Sequence, residues 1–178
     1  MTHNLAALFF DLGDTLMIEE SEEKDEEGTT RRADLVPGAA DMLLRLRQLG
    51  YPLALVADSR PLTPPNVLRQ HGLYDLFSYL SISEVVGVSK PDPRIFTVAL
   101  DALHIPQSQY GSVVMVGNNL ERDIAGANRL GLISVFLHWN DRRRAVPLTT
   151  DEQPGYTVHS IAELAQVIER LDKAAPMS

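Results

Sequence analysis

The sequence predicts an α/β fold with a doubly wound, mostly parallel sheet, and three observations predict it. Short, nearly continuous apolar runs recur at residues 5–10, 53–57, 79–82, 113–116 and 132–139, as expected of strands covered on both faces rather than half exposed. Stretches of helical periodicity lie between them, so strand and helix alternate along the chain. The first four runs give way to residues able to do chemistry, and in open parallel sheets ligands collect outside the carboxyl ends of the strands.

The first run, residues 5–10, stops at Asp11 and is followed by Leu12, Gly13, Asp14 and Thr15. Next comes EESEEKDEE, residues 19–27, with seven acids around one lysine. Such a block reads as a solvated, mobile segment, with a docking site for a basic partner as the less favoured alternative. Pro37 and Gly38 introduce a helix with Ala39, Met42, Leu43, Leu46 and Leu49 on its apolar face and Asp41, Arg45 and Gln48 opposite, stopped by Gly50. The second strand ends at Asp58, Ser59 and Arg60. Pro64 and Pro65 then suit the first turn of a helix running through Arg69, which Gly72 terminates. After the third strand, GVSKPDPRIF holds Lys90 in a stiff turn before a helix that turns Ile95, Phe96, Ala99, Ala102 and Leu103 inward.

The fourth strand leads into GNNLERDIAGANRLG. Asn118 or Asn119 caps a helix there, Asp123 lies about one turn in, and Gly126 and Ala127 permit close packing against the sheet. Beyond the fifth strand, a loop carrying Arg142, Arg143 and Arg144 reads as solvated, with binding of an anion or a partner as the alternative. Residues 156–158 make a small strand. Ser160 and Glu163 form a capping box for a last helix with an inward stripe of Ile161, Leu164, Ala165, Ile168 and Leu171. The end of the chain, around Pro176, should fray.

At 178 residues the chain fits one domain, spanning 1–178, with neither a second core nor an internal repeat. The absence of cysteine excludes disulfides, thiolate metal sites and a cysteine nucleophile, and fits a reducing compartment. No apolar stretch approaches the roughly 20 residues that cross a bilayer, and residues 5–10 are too short and lack the basic leader of a signal peptide. The expectation is a cytoplasmic protein with no membrane partner. A net charge of -8 argues against nucleic acid as a partner. His3, His71, His104, His138 and His159 lack metal-ligand spacing and suit structural roles, with His138 and Trp139 bordering the pocket as a minority reading. Oligomeric state is not legible.

The strand-end residues form one ordered set: Asp11 and Asp14, Asp58 and Ser59, Lys90, and Asn118 with Asp123. Clustered carboxylates repel one another and are held together by a divalent cation, while a lysine among them points to an anionic substrate such as a phosphoryl group. A hard cation with oxygen ligands and few protein contacts implies Mg²⁺.

FFDLGDTL, LALVADSR, GVSKPDPRIF and MVGNNLERDIAGANRLG, in that order across nearly the whole chain, resemble the haloacid dehalogenase superfamily. GVSKPDPRIF is the most specific of the four. The resemblance implies a Rossmann-like core and a Mg²⁺-dependent phosphatase working through an aspartyl-phosphate. Asp11 would be its nucleophile and a metal ligand, and the Gly13 carbonyl a further ligand. Lys90 would neutralise Asp11 and the transferring oxygens, and Asp123 would help hold the metal. Three positions depart from the family pattern: Gly13 replaces its acid/base aspartate, Ala57 its strand-two Ser or Thr, and Asn118 the first acid of its late motif.

Each departure has a consequence. Without an acid at position 13 an alkoxide leaves unprotonated, and general acid help is typically worth about 10²- to 10⁴-fold. Substrates with good leaving groups, such as acyl and aryl phosphates and phosphoanhydrides, are therefore favoured. Asp14 is an alternative acid, against its ordinary use in hydrogen bonding within the turn. Ser59 and the Asp58 backbone N–H stand in for the missing hydroxyl as phosphate-binding groups. Asn118 offers Mg²⁺ a neutral oxygen and so a weaker site.

Only about twenty residues, 17–36, separate the first motif from the following helix, too few for a cap domain with its own core. They are expected to form an acidic flap in its place and leave the site open. By resemblance, capless members act on larger substrates or borrow a neighbour's surface, so a macromolecular phosphorylated substrate is one expectation. The alternative function is a non-catalytic phosphate-sensing or protein-interaction module. A dehalogenase is a weaker third reading, because those enzymes need a different residue at position 13 and a larger lid.

Overall fold

The computed structural model describes residues 3–174. The main strands are β1 (Ala7–Phe10), β4 (Leu53–Ala57), β5 (Tyr79–Ile82), β6 (Val113–Gly117), β7 (Ile133–Leu137) and β8 (Tyr156–Val158), and β2 (Glu23–Lys24) and β3 (Thr30–Arg32) form a separate hairpin. The helices are α1 (Ala39–Leu49), α2 (Thr63–Gln70), α3 (Ser83–Val86), α4 (Pro93–Ala102), α5 (Ala125–Leu130) and α6 (Ile161–Lys173). The main sheet runs β5-β4-β1-β6-β7-β8 with every pairing parallel.

Side chains alternate across a pleated strand, so a continuous apolar run feeds two layers. Leu8 and Phe10 join Leu53, Leu55 and the buried faces of α1, α2 and α6. Ala7 and Phe9 join Ala54, Val56 and the buried faces of α4 and α5. The chain leaves β1 toward β4 and β5 on one side, then returns to β6 on the other side and continues outward. Strand order therefore reverses between β1 and β6, whose carboxyl ends lead into Asp11 and Asn118. A crevice at such a reversal is where open α/β sheets bind ligands.

The acidic segment is more structured than a solvated loop. Glu19–Ser21 form a 3₁₀ turn, and β2 pairs antiparallel with β3. The hairpin is tied to α2: the Thr30 N–H donates to Thr63 Oγ1 at 3.0 Å, the Asn66 amide donates to the Thr30 carbonyl at 3.0 Å, and the Ala33 N–H donates to Gln70 Oε1 at 3.1 Å. Backbone polar groups exposed by the short hairpin thus find side-chain partners on the helix. It makes a minimal cap.

Several details differ from the sequence expectation. Leu49 and Ala102 are exposed, because α1 and α4 reach their last turns at the edge of the core, and Leu100 packs inward instead. Of the two candidates, Asn118 and Asn119, it is Asn119 that caps the turn after β6, its Oδ1 accepting from the Glu121 and Arg122 N–H groups at 3.1 and 3.2 Å. That turn, Leu120–Ile124, is a π-helix preceding α5. Gly126 packs against α4 rather than the sheet, since a Cβ there would lie 2.4 Å from the Phe96 ring. In α6, Val167 is buried where Ala165 and Leu171 are only half-buried. Ser160 and Glu163 do cap that helix, Ser160 Oγ accepting the Glu163 N–H at 3.1 Å. The expected fraying around Pro176 lies outside the described residues.

The start of β1 is fastened to α6 by one carboxylate. Asp172 accepts from the Asn4 and Leu5 N–H groups at 2.8 and 3.0 Å, from the Tyr51 hydroxyl at 2.7 Å and from His3 Nδ1 at 3.0 Å, while His3 Nε2 donates to the Leu49 carbonyl at 2.7 Å. Both imidazole nitrogens face acceptors, so the bond to Asp172, then that to Leu49, raises the His3 pKa. Burial pushes Asp172 up, but its bonds to His3 and Tyr51 outweigh that and hold it below the usual carboxylate value. The His3 contribution is complete below the unfolded histidine value of about 6.5 and is lost as pH rises through the raised folded value. The Asp172 contribution is present above the ordinary carboxylate value and is lost as pH falls through the folded one. Asp172→Asn should cost about 1–3 kcal/mol in urea unfolding at pH 6, and the cost should shrink as pH rises past the His3 titration.

Candidate active site

Lys90 is the centre of the crevice, and the fold brings three strands to it. Its Nζ lies 2.7 Å from Asp11 Oδ1 at the end of β1, 2.7 Å from Asp123 Oδ1 in the π-turn after β6, and 2.8 Å from the Val56 carbonyl in β4. The Lys90 side chain is only 2% exposed, so this ammonium exists in the interior only because of its partners. Burial alone would pull its pKa down, but the carboxylates of Asp11, Asp123 and Asp58 outweigh burial and raise it above that of a free lysine. Conversely, burial and then Asp11 push Asp123 above the usual carboxylate range, against the pull of Lys90.

The loop that carries Lys90 is positioned by Asp58, whose Oδ1 accepts the Lys90 N–H at 2.9 Å and whose Oδ2 lies 3.3 Å from Arg122 Nη1. The Lys90–Pro91 peptide bond is cis. Asp11 is held on its other side by the Thr15 hydroxyl, which donates to Oδ2 at 3.3 Å. Asp123 Oδ2 accepts the Asn119 N–H at 3.0 Å.

Asp11, Asp58, Lys90, Arg122 and Asp123 line a cavity of about 280 Å³, together with Gly13, Ser59 and Asn118. That is the lower end of small-ligand pockets. One wall comes from the hairpin, where Glu22, Lys24 and Thr30 line the cavity. Two residues placed at the site by the sequence direct their polar groups elsewhere, Ser59 from the cavity wall and Asp14 from beside it. Ser59 donates its hydroxyl to the Arg60 carbonyl at 3.2 Å and its N–H to Ser83 Oγ at 3.0 Å. Asp14 is wholly buried beside the cavity, not in it: its Oδ1 accepts the Glu19 N–H at 3.0 Å, and Arg142 Nε lies 2.8 Å from Oδ2. Its left-handed backbone, φ 49°, shapes the turn. Trp139 Nε1 donates to the Asp14 carbonyl at 2.7 Å, so Trp139 braces the turn rather than bordering the pocket.

The arginine loop is tied to the acidic segment, with Arg143 lining the cavity. Arg142 and Arg143 reach Glu19, and Arg144 is bonded to Glu152 at 2.7 Å. No local signal in the sequence joined this loop to the acidic segment, more than a hundred residues away. Thr15, Ser83 and the Val56 carbonyl were also missed as partners, since each acts through position in the fold and not through a motif.

The oxygen-bearing residues suit a small hard cation. Among the described residues no group of three or more His, Cys, Asp or Glu side chains could hold a metal. Two carboxylates, Asp11 and Asp123, face the cavity with neutral Gly13 and Asn118, and a cation that keeps several waters needs no more. The Asn118 side-chain amide is buried without a partner for Nδ2 among the described residues, and a turned amide would present its oxygen instead.

A family model described as haloacid dehalogenase-like hydrolase matches residues 10–131. Over 135 residues, 76% of the chain, the sequence is 33% identical to the glyceraldehyde 3-phosphate phosphatase of Pyrococcus furiosus, of which the match covers 55%. It is 38% identical over 112 residues, 63% of the chain, to the phosphoserine phosphatase of Thermus thermophilus, covering 43% of that protein. Among solved structures, the HAD phosphatase from Thermococcus onnurineus superposes with a TM-score of 0.75 at 19% identity, over 92% of this chain and 98% of the other, a likeness of fold. The chain spans only about half the length of the curated relatives it matches.

Removing the central cation should be costly, because it strands two buried carboxylates. Lys90→Met is expected to lower stability by about 3–5 kcal/mol in chemical denaturation. Adding Asp123→Asn to it should return part of that loss.

Proposed function

The chain belongs to the haloacid dehalogenase-like hydrolase family, and from that membership and the geometry of the cavity we propose that it is a Mg²⁺-dependent phosphatase acting through an aspartyl-phosphate at Asp11. The observation that carries this reading is Asp11 Oδ1 lying 2.7 Å from the buried Lys90 ammonium where the central strand ends in the cavity. An Asp11 oxygen attacks the phosphorus and the leaving group departs. Lys90 offsets the charge on Asp11 and on the phosphoryl oxygens, so positioning and charge stabilisation supply most of the catalysis. Asp11, the Gly13 carbonyl, Asn118 and Asp123 would hold Mg²⁺. When bound, the ion neutralises phosphoryl charge that one lysine cannot.

The substrate class proposed is a small phosphorylated molecule with a good leaving group. The curated relatives named above are phosphatases of small molecules, and the cavity is of that scale. Gly13 supplies no acid for an alkoxide, which favours acyl phosphates and limits activity on alkyl esters. With the chain read as a single domain, residues 17–36 stand in place of a cap domain. The alternative, a phosphate-sensing module without turnover, is favoured by one observation: both polar hydrogens of Ser59 are spent on Arg60 and Ser83 rather than offered to a phosphate.

Hydrolysis of acetyl phosphate, with and without Mg²⁺, should require both the ion and Asp11. Chelation or Asp11→Asn is expected to reduce turnover to background, and an alkyl phosphomonoester should react at least about 10²-fold more slowly. Folded protein that turns over neither substrate and shows no phosphoryl group on Asp11 would move the assignment to the sensing module.

A further inference from the structure

The space beside Gly13 is filled by another residue's carboxylate. A Cβ built on Gly13 would lie 2.5 Å from Glu19 Oε1 and 2.9 Å from Glu19 Cγ. Glu19 opens the 3₁₀ turn of the acidic segment, folds back onto the turn that carries Asp11, and lines the cavity with Asp11 and Lys90. It is held from both ends. Its N–H donates to Asp14 Oδ1 at 3.0 Å, and its carboxylate oxygens accept from Arg142 at 3.2 Å and Arg143 at 3.1 Å.

The other carboxylates of the cavity are committed elsewhere. Asp123 is locked on Lys90, Asp58 holds the Lys90 N–H and Arg122, and Glu22 accepts from the Thr30 hydroxyl and pairs with Lys24. The Glu19 pairs, like those of Asp58 with Arg122 and Glu22 with Lys24, are exposed, but Glu19 alone of the three fills the space beside Gly13. The side chains of Arg142 and Arg143 are 42% and 43% exposed, against 2% for Lys90. Ion pairs at such exposure are weak and exchange with water.

We infer that Glu19 is the general base for dephosphorylation of Asp11, an inference that rests on the aspartyl-phosphate reading above. A water oxygen attacks the phosphorus of the Asp11 acyl phosphate. The new oxygen–phosphorus bond forms as the bond to the Asp11 oxygen breaks, and that electron pair returns to the Asp11 carboxylate. One water proton passes to a Glu19 carboxylate oxygen and then to solvent, while the other stays on the released phosphate. The role assigned to Glu19 is in this second half-reaction.

The test is acid-quenched mass spectrometry of Glu19→Gln during acetyl phosphate turnover with Mg²⁺, with circular dichroism and Mg²⁺ calorimetry confirming fold and metal affinity. Turnover should fall by about 10²-fold or more, while phosphorylated Asp11 accumulates to near one per chain. A second pair keeps the inference exposed if that variant misfolds: Glu19→Ala should lose turnover, and Glu19→Ala with Gly13→Asp, which places a carboxylate in the same space, should recover it. Glu19→Gln with wild-type turnover, loss of labelling along with turnover, or no recovery in the double variant would overturn the role of Glu19 alone. Wild-type protein that neither turns over nor becomes labelled would overturn the aspartyl-phosphate reading, and this inference with it.

Discussion

One buried ammonium organises the molecule's chemistry. Lys90 Nζ meets Asp11, Asp123 and the Val56 carbonyl within 2.8 Å, and these come from three segments far apart in the chain. Two carboxylates at a sheet's edge would otherwise repel and seek water. With a cation between them they can be buried together at the crevice where the strand order reverses. The requirement is mutual, since a lysine this enclosed needs both acids to stay charged. Asp58 then acts one step out, fixing the backbone from which the lysine reaches inward.

Sequence patterning gave access to the framework and the central residues because both depend on local rules. Continuous apolar runs marked the five longer strands, and the short strand at 156–158 was also legible. Asp11, Lys90 and Asp123 were identifiable because each sits at a strand end in a distinctive motif, and the structure brings them together. What was not legible depends on distance in the chain. The inward face of a helix is set by where the core ends, so Leu49 and Ala102 could not be distinguished from their buried neighbours by spacing. Ser59 has the right chemistry at the right position, yet its hydroxyl turns to a carbonyl that spacing does not reveal.

The acidic segment and the arginine loop show the same limit in electrostatic form. Each reads alone as a solvated run of like charge. In the fold, Arg142 and Arg143 meet Glu19, and Arg142 also meets the buried Asp14. Like charges that would keep a segment apart from the core instead join it to a loop of opposite sign. Part of the net charge of the chain is thus already compensated at the mouth of the cavity, where an anionic substrate must enter.

The hairpin is attached through a narrow neck. The Val36 N–H donates to the Leu16 carbonyl at 2.9 Å, and the Ile18 N–H to the Asp34 carbonyl at 2.9 Å, so the two ends of the segment run side by side before the hairpin begins. A closed neck gives the hairpin its own base, while Glu19, just beyond it, stays bonded to the turn that carries Asp11. Insertions at the hairpin tip can lengthen or reshape the wall of the cavity without shifting the nucleophile. The neck is a grafting point, where this chain can change the wall of its cavity and keep the floor.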